Sequence, residues 1–487
     1  MTAASRLQKT YLFTDVRHIC CGDLSWHSPE GQAIRLIDPP GPMVEAQARL
    51  NNVPRGVRLT AQRGSKSEPL AAGTALGRVI HEGGVYRSWV IRPRYPEGRN
   101  FGCYSDDPAL SLAIVHLQSD DGYAWQETGC SSIDPDGCSG FDGFTVFVDP
   151  SAAADERYKA VFLAVPPKER WAAHWAEYRK IHPYHRDERL GEHEIDVMMG
   201  AVSADGLSWR LIDRPLMVHK SDTDTTVYYD ESRGRYVMYT RMYRQQRRTI
   251  AVAEAEDFRA WGPVRPLIAP SLDGPLSDDL YTNCRTSYPG EPSYHLMFPM
   301  VYHRYSQRSE VRLYSSEEGL HWREVPGGAV IEPGGPGEWD GGFVSAGNDL
   351  VPMGDRVALR YHATSYPHKY PRWREVLAAG RVGWVTWPKG RLCAVRADQE
   401  GEFVAMGVCV AGRELRVNVR TPRAGYVKVG IVNVEGRSAE ECDPIVGDHP
   451  AASVRWKGRS DVGVAEGQGV LVQFKMRLAD VFGFEWV

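Results

Sequence analysis

Short apolar runs typical of β-strands recur along most of the chain, bounded by Gly, Pro or acidic turn residues. Several of these runs end in the phrase Ser-x-Asp/Glu-Gly-x-x-Trp, which occurs at 119–125, 203–209 and 316–322 and in degenerate form at 255–261. The acidic residue and glycine favour a tight turn and the tryptophan can anchor the next strand, so the phrase predicts a hairpin. Because the copies lie about 50–85 residues apart, each repeat has room for one small sheet, as in a propeller blade.

A second repeated element is a strand, a polar turn and a returning strand rich in aromatic and β-branched residues. We interpret each instance as the inner hairpin of one blade. Its five instances are 73–91, 143–165, 225–242, 287–301 and 341–363. The sequence therefore predicts five blades, between about residues 60 and 380.

The chain is expected to form two domains. Residues 1–380 form the propeller, and 1–60 are expected to close the ring or clasp the last blade. An insertion at about 167–190 carries aromatic residues at helical spacing and predicts a short helix. Residues 381–487 alternate apolar and polar positions between frequent turns, as in a β-sandwich. The predicted fold is all-β: a five-bladed β-propeller followed by an antiparallel β-sandwich.

Composition narrows the class of protein. The 58 Lys and Arg residues nearly balance the 62 Asp and Glu residues, which argues against a nucleic-acid or anionic-membrane partner. No apolar run approaches the roughly 18–20 residues of a membrane span. The N-terminus lacks the apolar core of a secretory signal, and the nine cysteines contain no C-x-x-C, so a cytoplasmic location is expected.

Acidic residues precede nearly every predicted innermost strand. In a propeller the starts of these strands converge on one mouth of the channel, so acids far apart in sequence are expected to meet there. These acids are Glu68, Asp142, Asp222, Asp224, Asp279, Glu338 and Asp340. Clustered carboxylates repel, which keeps one protonated while another stays ionised. Such a pair can supply the general acid and the base or nucleophile of glycoside hydrolysis.

The five hairpins, the repeated phrase and the trailing sandwich resemble the five-bladed propeller glycoside hydrolases of families 32, 43 and 117. The resemblance implies that three carboxylates from different blades act as acid, base or nucleophile, and pKa modulator. By position it implicates Glu68, Asp142, Asp222 or Asp224, and Glu338 or Asp340. The invertase motifs N-D-P-N-G, R-D-P and E-C-P are absent, so the chain resembles an uncharacterised branch.

We assign Asp142 and Asp222 to the base or nucleophile and the pKa-setting group, and Glu338 or Asp340 to the general acid. The other candidates are expected to bind substrate: Glu68, Asp224, Asp279, Tyr281, Trp339, His362 and His368. For Asp279 a solvated loop position is the competing interpretation. The acids of the repeated hairpins are expected to be structural: Asp121, Asp205 and Glu318.

The predicted activity is hydrolysis of a small oligosaccharide or of a terminal furanose or unusual sugar, with a carbohydrate as the partner. The alternatives are a non-catalytic carbohydrate-binding propeller and a sialidase-like hydrolase, whose Asp box the repeated phrase resembles. No cofactor is expected, with a divalent cation such as calcium among the crowded acids as the alternative. Arginines at 241, 244, 247 and 248 would suit an acidic sugar if they point inward. The predicted helix and the sandwich are candidate surfaces for a homo-oligomer.

Overall fold

The computed structural model describes residues 7–21, 25–27, 33–35, 54–94, 111–133, 137–181, 195–219, 221, 225–368 and 380–487. The chain divides into two compact units. The propeller unit comprises Gly64–Glu324 and Ala329–Thr386. The sandwich unit comprises Met1–Arg63, Val325–Gly328 and Trp387–Val487.

The propeller unit contains five antiparallel blades, whose strands follow one another outward from the channel. Blade I consists of Val79–Glu82, Val85–Arg94, Ser111–Ser119 and Gln126–Ile133. Blade II consists of Ser139–Val148, Tyr158–Val165, Val197–Ser203 and Arg210–Leu211, with Met217–Val218 added beside Val197–Ser203. Blade III consists of Thr226–Asp230, Arg235–Arg244, Arg247–Ala255 and Arg265–Ile268.

Blade IV is interrupted, so it forms two sheets. The main sheet consists of Arg285–Tyr288, Glu291–Met297, Tyr314–Ser316 and Arg323–Glu324, and the smaller one of Asp278–Leu280, Met300–His303 and Arg308–Val311. Blade V consists of Phe343–Met353, Arg356–Thr364, Arg381–Pro388 and Ser65–Lys66. The predicted five-bladed propeller is confirmed.

The repeated phrase forms the hairpin that its residues predict. In the first copy, Ser119 Oγ accepts a hydrogen bond from Gly122 N at 2.9 Å. Asp121 Oδ1 accepts bonds from residues 123 and 124 at 2.7 and 2.8 Å. Trp125 Nε1 donates to Gly122 O at 2.8 Å. Hydrogen bonds from the backbone of residues 124 and 123 lower the pKa of Asp121, so this acid stabilises a turn, as expected.

The glycine carbonyl of each full copy also accepts a bond from the preceding blade. Trp384 of blade V donates to Gly122 O of blade I at 2.8 Å, and Trp89 of blade I donates to Gly206 O of blade II at 2.6 Å. In blade IV the corresponding donor to Gly319 O is the Tyr239 hydroxyl of blade III. The repeats therefore connect neighbouring blades.

The expectation that residues 1–60 close the propeller ring or clasp its last blade is not met by the described strands of this segment. The outermost strand of blade V is Ser65–Lys66, which pairs with residues 385 and 386. The strand Thr10–Leu12 instead pairs with Gly469–Trp486 in the sandwich unit. There the Tyr11 ring stacks on Phe484 with centroids 4.7 Å apart. Burial of this aromatic residue explains why the segment belongs to the sandwich. The domain boundary also shifts, because Arg381–Pro388 is a strand of blade V.

The predicted insertion helix is present as Trp171–Ile181, after the short 3₁₀ turns Ala154–Glu156 and Lys168–Arg170. Trp175 and Tyr178 are its buried residues and pack into the core of blades I and II. The rest of the predicted insertion, 182–190, lies outside the described residues. Across the described segments, no helix combines the length and the apolar character needed to cross a bilayer.

The sandwich unit is a strongly bent antiparallel sheet around an aromatic and aliphatic core. Two long strands, Cys393–Cys409 and Gly469–Trp486, pair with each other along most of their length. The other strands are Thr10–Leu12, Arg58–Ala61, Leu415–Arg420, Tyr426–Ile431 and Asp448–Ser453. Ser25–His27 and Ala33–Arg35 pair separately. Register shifts in the long pair bend the sheet, which encloses stacked rings such as Phe403 and Phe474.

Candidate functional site

The candidate site lies where the five innermost strands begin, an end of the propeller that we call the mouth. Since neighbouring strands within each blade are antiparallel, the hairpin between the second and third strands also returns to the mouth. In blade III this hairpin joins Arg235–Arg244 to Arg247–Ala255, and in blade V the second strand ends at Thr364. Residues at the mouth therefore come from the starts of the innermost strands and from the hairpins between the second and third strands.

Among the described residues, the predicted acid Asp142 lies within the innermost strand of blade II. It lies opposite Leu163 in blade II, between two register shifts of the ladder, and it is half-buried. The following Gly143 has a φ of +66°, which favours glycine and bends the strand at this point. Asp222 and Asp224, predicted at the start of blade III, lie outside the described residues.

Asp340 bonds the Tyr361 phenol of blade V, and the charges of Glu68 and Glu338 also act on that phenol. We call Glu68, Glu338, Asp340 and Tyr361 the acidic cluster. Burial, followed by the negative charges of Asp340, Glu68 and Glu338, raises the pKa of Tyr361. The phenol therefore stays protonated and donates to Asp340 Oδ2 at 3.3 Å. Trp339 lies beside it, with its ring centroid 5.2 Å from that of Tyr361.

The members of the acidic cluster differ in accessibility. Asp340 is buried, and its Oδ2 lies 2.5 Å from Lys66 Nζ on the outer strand of the same blade. Glu338 is exposed, and its Oε2 accepts a bond from the backbone of Gly335 at 2.9 Å. Glu68 is also exposed, but it follows the outer strand of blade V rather than directly preceding blade I. Asp340 is thus held in an ion pair, while Glu338 and Glu68 can contact a ligand.

A second group lies between blades III and IV, and we call Arg241, Tyr243, Arg248 and Tyr281 the arginine–tyrosine cluster. The guanidinium carbons of Arg241 and Arg248 lie 4.7 and 4.3 Å from the centroid of the Tyr281 ring. The same two carbons lie 5.6 and 5.5 Å from the Tyr243 ring. Both arginines are buried, so they point into the propeller rather than lying on a solvated face.

Asp279 holds the arginines of this region in place, because its enclosed carboxylate binds Arg248 and Arg304. Arg248 Nη1 donates to it at 2.7 Å, and Arg304 donates to both oxygens at 2.8 Å. The backbone N–H of Arg248 adds a fourth bond at 2.9 Å. The interpretation of Asp279 as a solvated loop acid is therefore wrong, since two hairpins distant in sequence cover it. Fully enclosed, it orients arginines and leaves ligand contact to its neighbours.

Tyr281 and His368, which the sequence suggested separately as substrate-binding residues, lie together. The Tyr281 hydroxyl is 3.0 Å from His368 Nε2. The His368 ring stacks on Phe343 at a centroid distance of 4.5 Å and meets the Tyr302 ring edge to face. Both Tyr281 and His368 are half-buried, so they combine a fixed orientation with an accessible edge.

His362 lies apart from that pair. Burial, and then the positive charge of Arg360, lowers its pKa to about 4, so the imidazole is neutral near pH 7. An added Cβ at Gly380 would lie 2.6 Å from His362 Nε2, which shows how closely the chain covers this ring. These surroundings are those of a packed histidine.

Charged residues that the sequence-based interpretation missed occupy the channel itself. Arg78 immediately precedes blade I, and its Nη1 lies 3.4 Å from both Val146 O of blade II and Val227 O of blade III. Burial lowers its pKa to about 10, so the side chain remains charged near neutral pH. Asp349 of blade V accepts a bond from Val79 N at 2.5 Å. The sequence feature that could have indicated Asp349 is its position within the otherwise largely apolar strand Phe343–Met353.

No group of three His, Cys, Asp or Glu side chains within the described ranges is arranged to hold a metal ion. The structure therefore gives no coordination geometry on which to place the divalent cation considered from the sequence.

The chain is similar to several solved structures. The chain is similar to a Bombyx mori family 32 β-fructofuranosidase, with 11% identity, a TM-score of 0.39 and coverage of 89% of this chain and 94% of that one. It is similar to a thermostable family 43 glycoside hydrolase, with 13% identity, a TM-score of 0.41 and coverage of 68% and 96%. A Listeria innocua β-1,2-mannobiose phosphorylase matches with 12% identity, a TM-score of 0.41 and coverage of 68% and 90%.

The sequence matches no protein-family model and no curated protein. The propeller architecture is shown by the strand pairing of the described residues. The activity has to be argued from the residues at the mouth.

Proposed function

We propose that the protein is a glycosidase that binds a small oligosaccharide, or a terminal furanose or unusual sugar, at the mouth of its propeller. The observation that carries this proposal is that Asp340 bonds the Tyr361 phenol, on which the charges of Glu68 and Glu338 also act, while the Trp339 ring packs beside it. Paired carboxylates are the catalytic equipment of most glycosidases. An aromatic face beside them can pack on the apolar face of a sugar ring.

Within this proposal Glu338 is the general acid. Its exposed carboxyl can reach a leaving-group oxygen, whereas Asp340 is occupied by Lys66 and Tyr361. Asp142 supplies the base or nucleophile from blade II, and Asp222 remains the proposed pKa-setting partner. The choice between inverting and retaining chemistry depends on the carboxylate separation, about 6.5–9.5 Å or about 5–5.5 Å respectively.

The test is a screen of 4-nitrophenyl glycosides and short oligosaccharides with product analysis. On a glycoside that the wild type cleaves, Glu338→Gln and Asp142→Asn should each lower kcat by roughly 10²–10⁴-fold. Glu256→Gln is the matched control, because its side chain is 89% exposed on blade III. Full turnover in both site variants would refute the assignment, and no cleavage across the panel would refute the hydrolase.

The alternative is a propeller that binds carbohydrate without cleaving it. One observation favours it: Asp279 and Asp340, which precede the innermost strands of two blades, are both held by cations. This alternative predicts binding of an oligosaccharide by calorimetry with no product after prolonged incubation.

A further inference from the structure

We propose that the arginine–tyrosine cluster recognises a carboxylate, so that the sugar bound at the mouth is acidic, such as a uronic or sialic acid. This inference rests on the proposed glycosidase function and adds the class of substrate. It starts from the two guanidinium groups that face the Tyr281 ring at 4.7 and 4.3 Å.

Three guanidinium groups lie near this position. Arg241, Arg248 and Arg304 converge there, while Asp279 is the carboxylate that Arg248 and Arg304 share. The adjacent Asp278 faces His303 instead, at 2.9 Å. Buried guanidinium groups gain most from a negative partner, because the local dielectric is low. A ligand carboxylate could share these guanidinium groups, as Asp279 shares Arg248 and Arg304.

The shape of the groups also suits an acidic sugar. A guanidinium presents a planar fork of N–H donors that matches the two oxygens of a carboxylate. Tyr281, which carries the two arginines on its ring, and His368 are both half-buried, with the hydroxyl and the imidazole nitrogen 3.0 Å apart. These polar atoms can bond ring hydroxyls while the arginines hold the carboxylate. Neutral sugars offer no group that would use both guanidinium ions.

The location connects the cluster with the proposed chemistry. Arg241 and Arg248 lie near the hairpin that blade III returns to the mouth, and His368 lies beyond the second strand of blade V. The acidic cluster belongs to the same blade V. A carboxylate held between blades III and IV would therefore lie next to the blade that carries the acidic cluster.

The experiment is titration calorimetry of the full-length protein with D-glucuronate, D-galacturonate and N-acetylneuraminate, against D-glucose and D-galactose. At least one acidic sugar should bind about tenfold or more tightly than the neutral sugars, and Arg248→Gln should remove that preference. Arg265→Gln is the matched control, because Arg265 lies on the outer strand of the same blade and is 59% exposed. Equal affinity for acidic and neutral sugars, or no binding of any acidic sugar, would overturn the inference.

A second measurement avoids the mutation, because Arg248→Gln leaves Asp279 with one arginine fewer and can impair folding. The methyl ester of the preferred uronic acid should bind the wild type about tenfold more weakly than the acid. An unchanged affinity would also overturn the inference.

Turnover separates this inference from the proposed function. Cleavage of neutral nitrophenyl glycosides without any preference for acidic ones would leave the glycosidase and overturn the acidic substrate. Tight binding of an acidic sugar without cleavage of any glycoside would support the acidic ligand and refute the glycosidase.

Discussion

Replacing Asp340 by asparagine tests whether this carboxylate is structural. Its side chain is 3% exposed and lies 2.5 Å from Lys66, which is 27% exposed. Asparagine keeps the size of the side chain and a neutral acceptor for the Tyr361 hydroxyl, so the variant loses mainly the charge of the Lys66 pair. A hydrogen bond to a charged group contributes about 1.5–3 kcal/mol. Because Lys66 retains contact with water, we expect the lower part of that range, about 1.5–2 kcal/mol.

The assay is differential scanning calorimetry of the full chain. For a large folding unit, about 2 °C of Tm is lost per kcal/mol, so Asp340→Asn should melt about 3–4 °C below the wild type. Glu256→Gln serves as the charge-matched control, and its exposed position predicts a change within about 0.5 kcal/mol. If Asp340→Asn melts with the wild type but loses turnover, Asp340 is catalytic and the reasoning is wrong.

Three further predictions concern packing and charge. Gly206→Ala should lower the free energy of unfolding by about 2–5 kcal/mol, because its φ is +76° and a Cβ would lie 2.9 Å from the Trp89 indole. Gly83→Ala is the control: with φ +62° and open space around the Cβ, it should lose only about 1–2 kcal/mol. Equal losses of stability in urea titrations would contradict this reasoning. The pKa of His362 is lowered to about 4 in the folded protein, so between about pH 6.5 and pH 4 only the unfolded chain takes up a proton at this residue, and stability falls with pH. The Tm of His362→Gln should therefore fall less steeply over that interval than the Tm of the wild type. Parallel curves of Tm against pH for the two proteins would contradict this prediction. Asp279→Asn should lower the free energy of unfolding by about 3–5 kcal/mol, because two arginines lose their shared carboxylate. A urea midpoint equal to that of the wild type would disprove the ion-pair explanation.

The blades could be predicted because their signals are local. A serine, an acidic residue, a glycine and a tryptophan within one short phrase determine a turn, and Asp121 shows each of the expected backbone bonds. The insertion helix was predictable for the same reason, since Trp175 and Tyr178 lie on one helical face. Such features depend on neighbours in the chain rather than on distant contacts.

The ring closure and the channel could not be predicted in this way. The strand Ser65–Lys66 has no periodic pattern of its own and is determined by pairing with residues 385 and 386. Asp279 follows another acid in a polar segment, yet arginines from two separate hairpins enclose it. Arg78 spans between the backbones of blades II and III. These arrangements depend on tertiary contacts that a single sequence does not display.

The two-residue strand that completes blade V has a consequence for biosynthesis. Lys66 must find Asp340, which is made 274 residues later, and a strand that is made more than 300 residues later. Until then the early segment has no partner within blade V, and the acidic cluster lacks its cation. The mouth therefore acquires its arrangement only after the fifth blade has been synthesised, so a nascent or prematurely terminated chain would have no organised pocket with which to act.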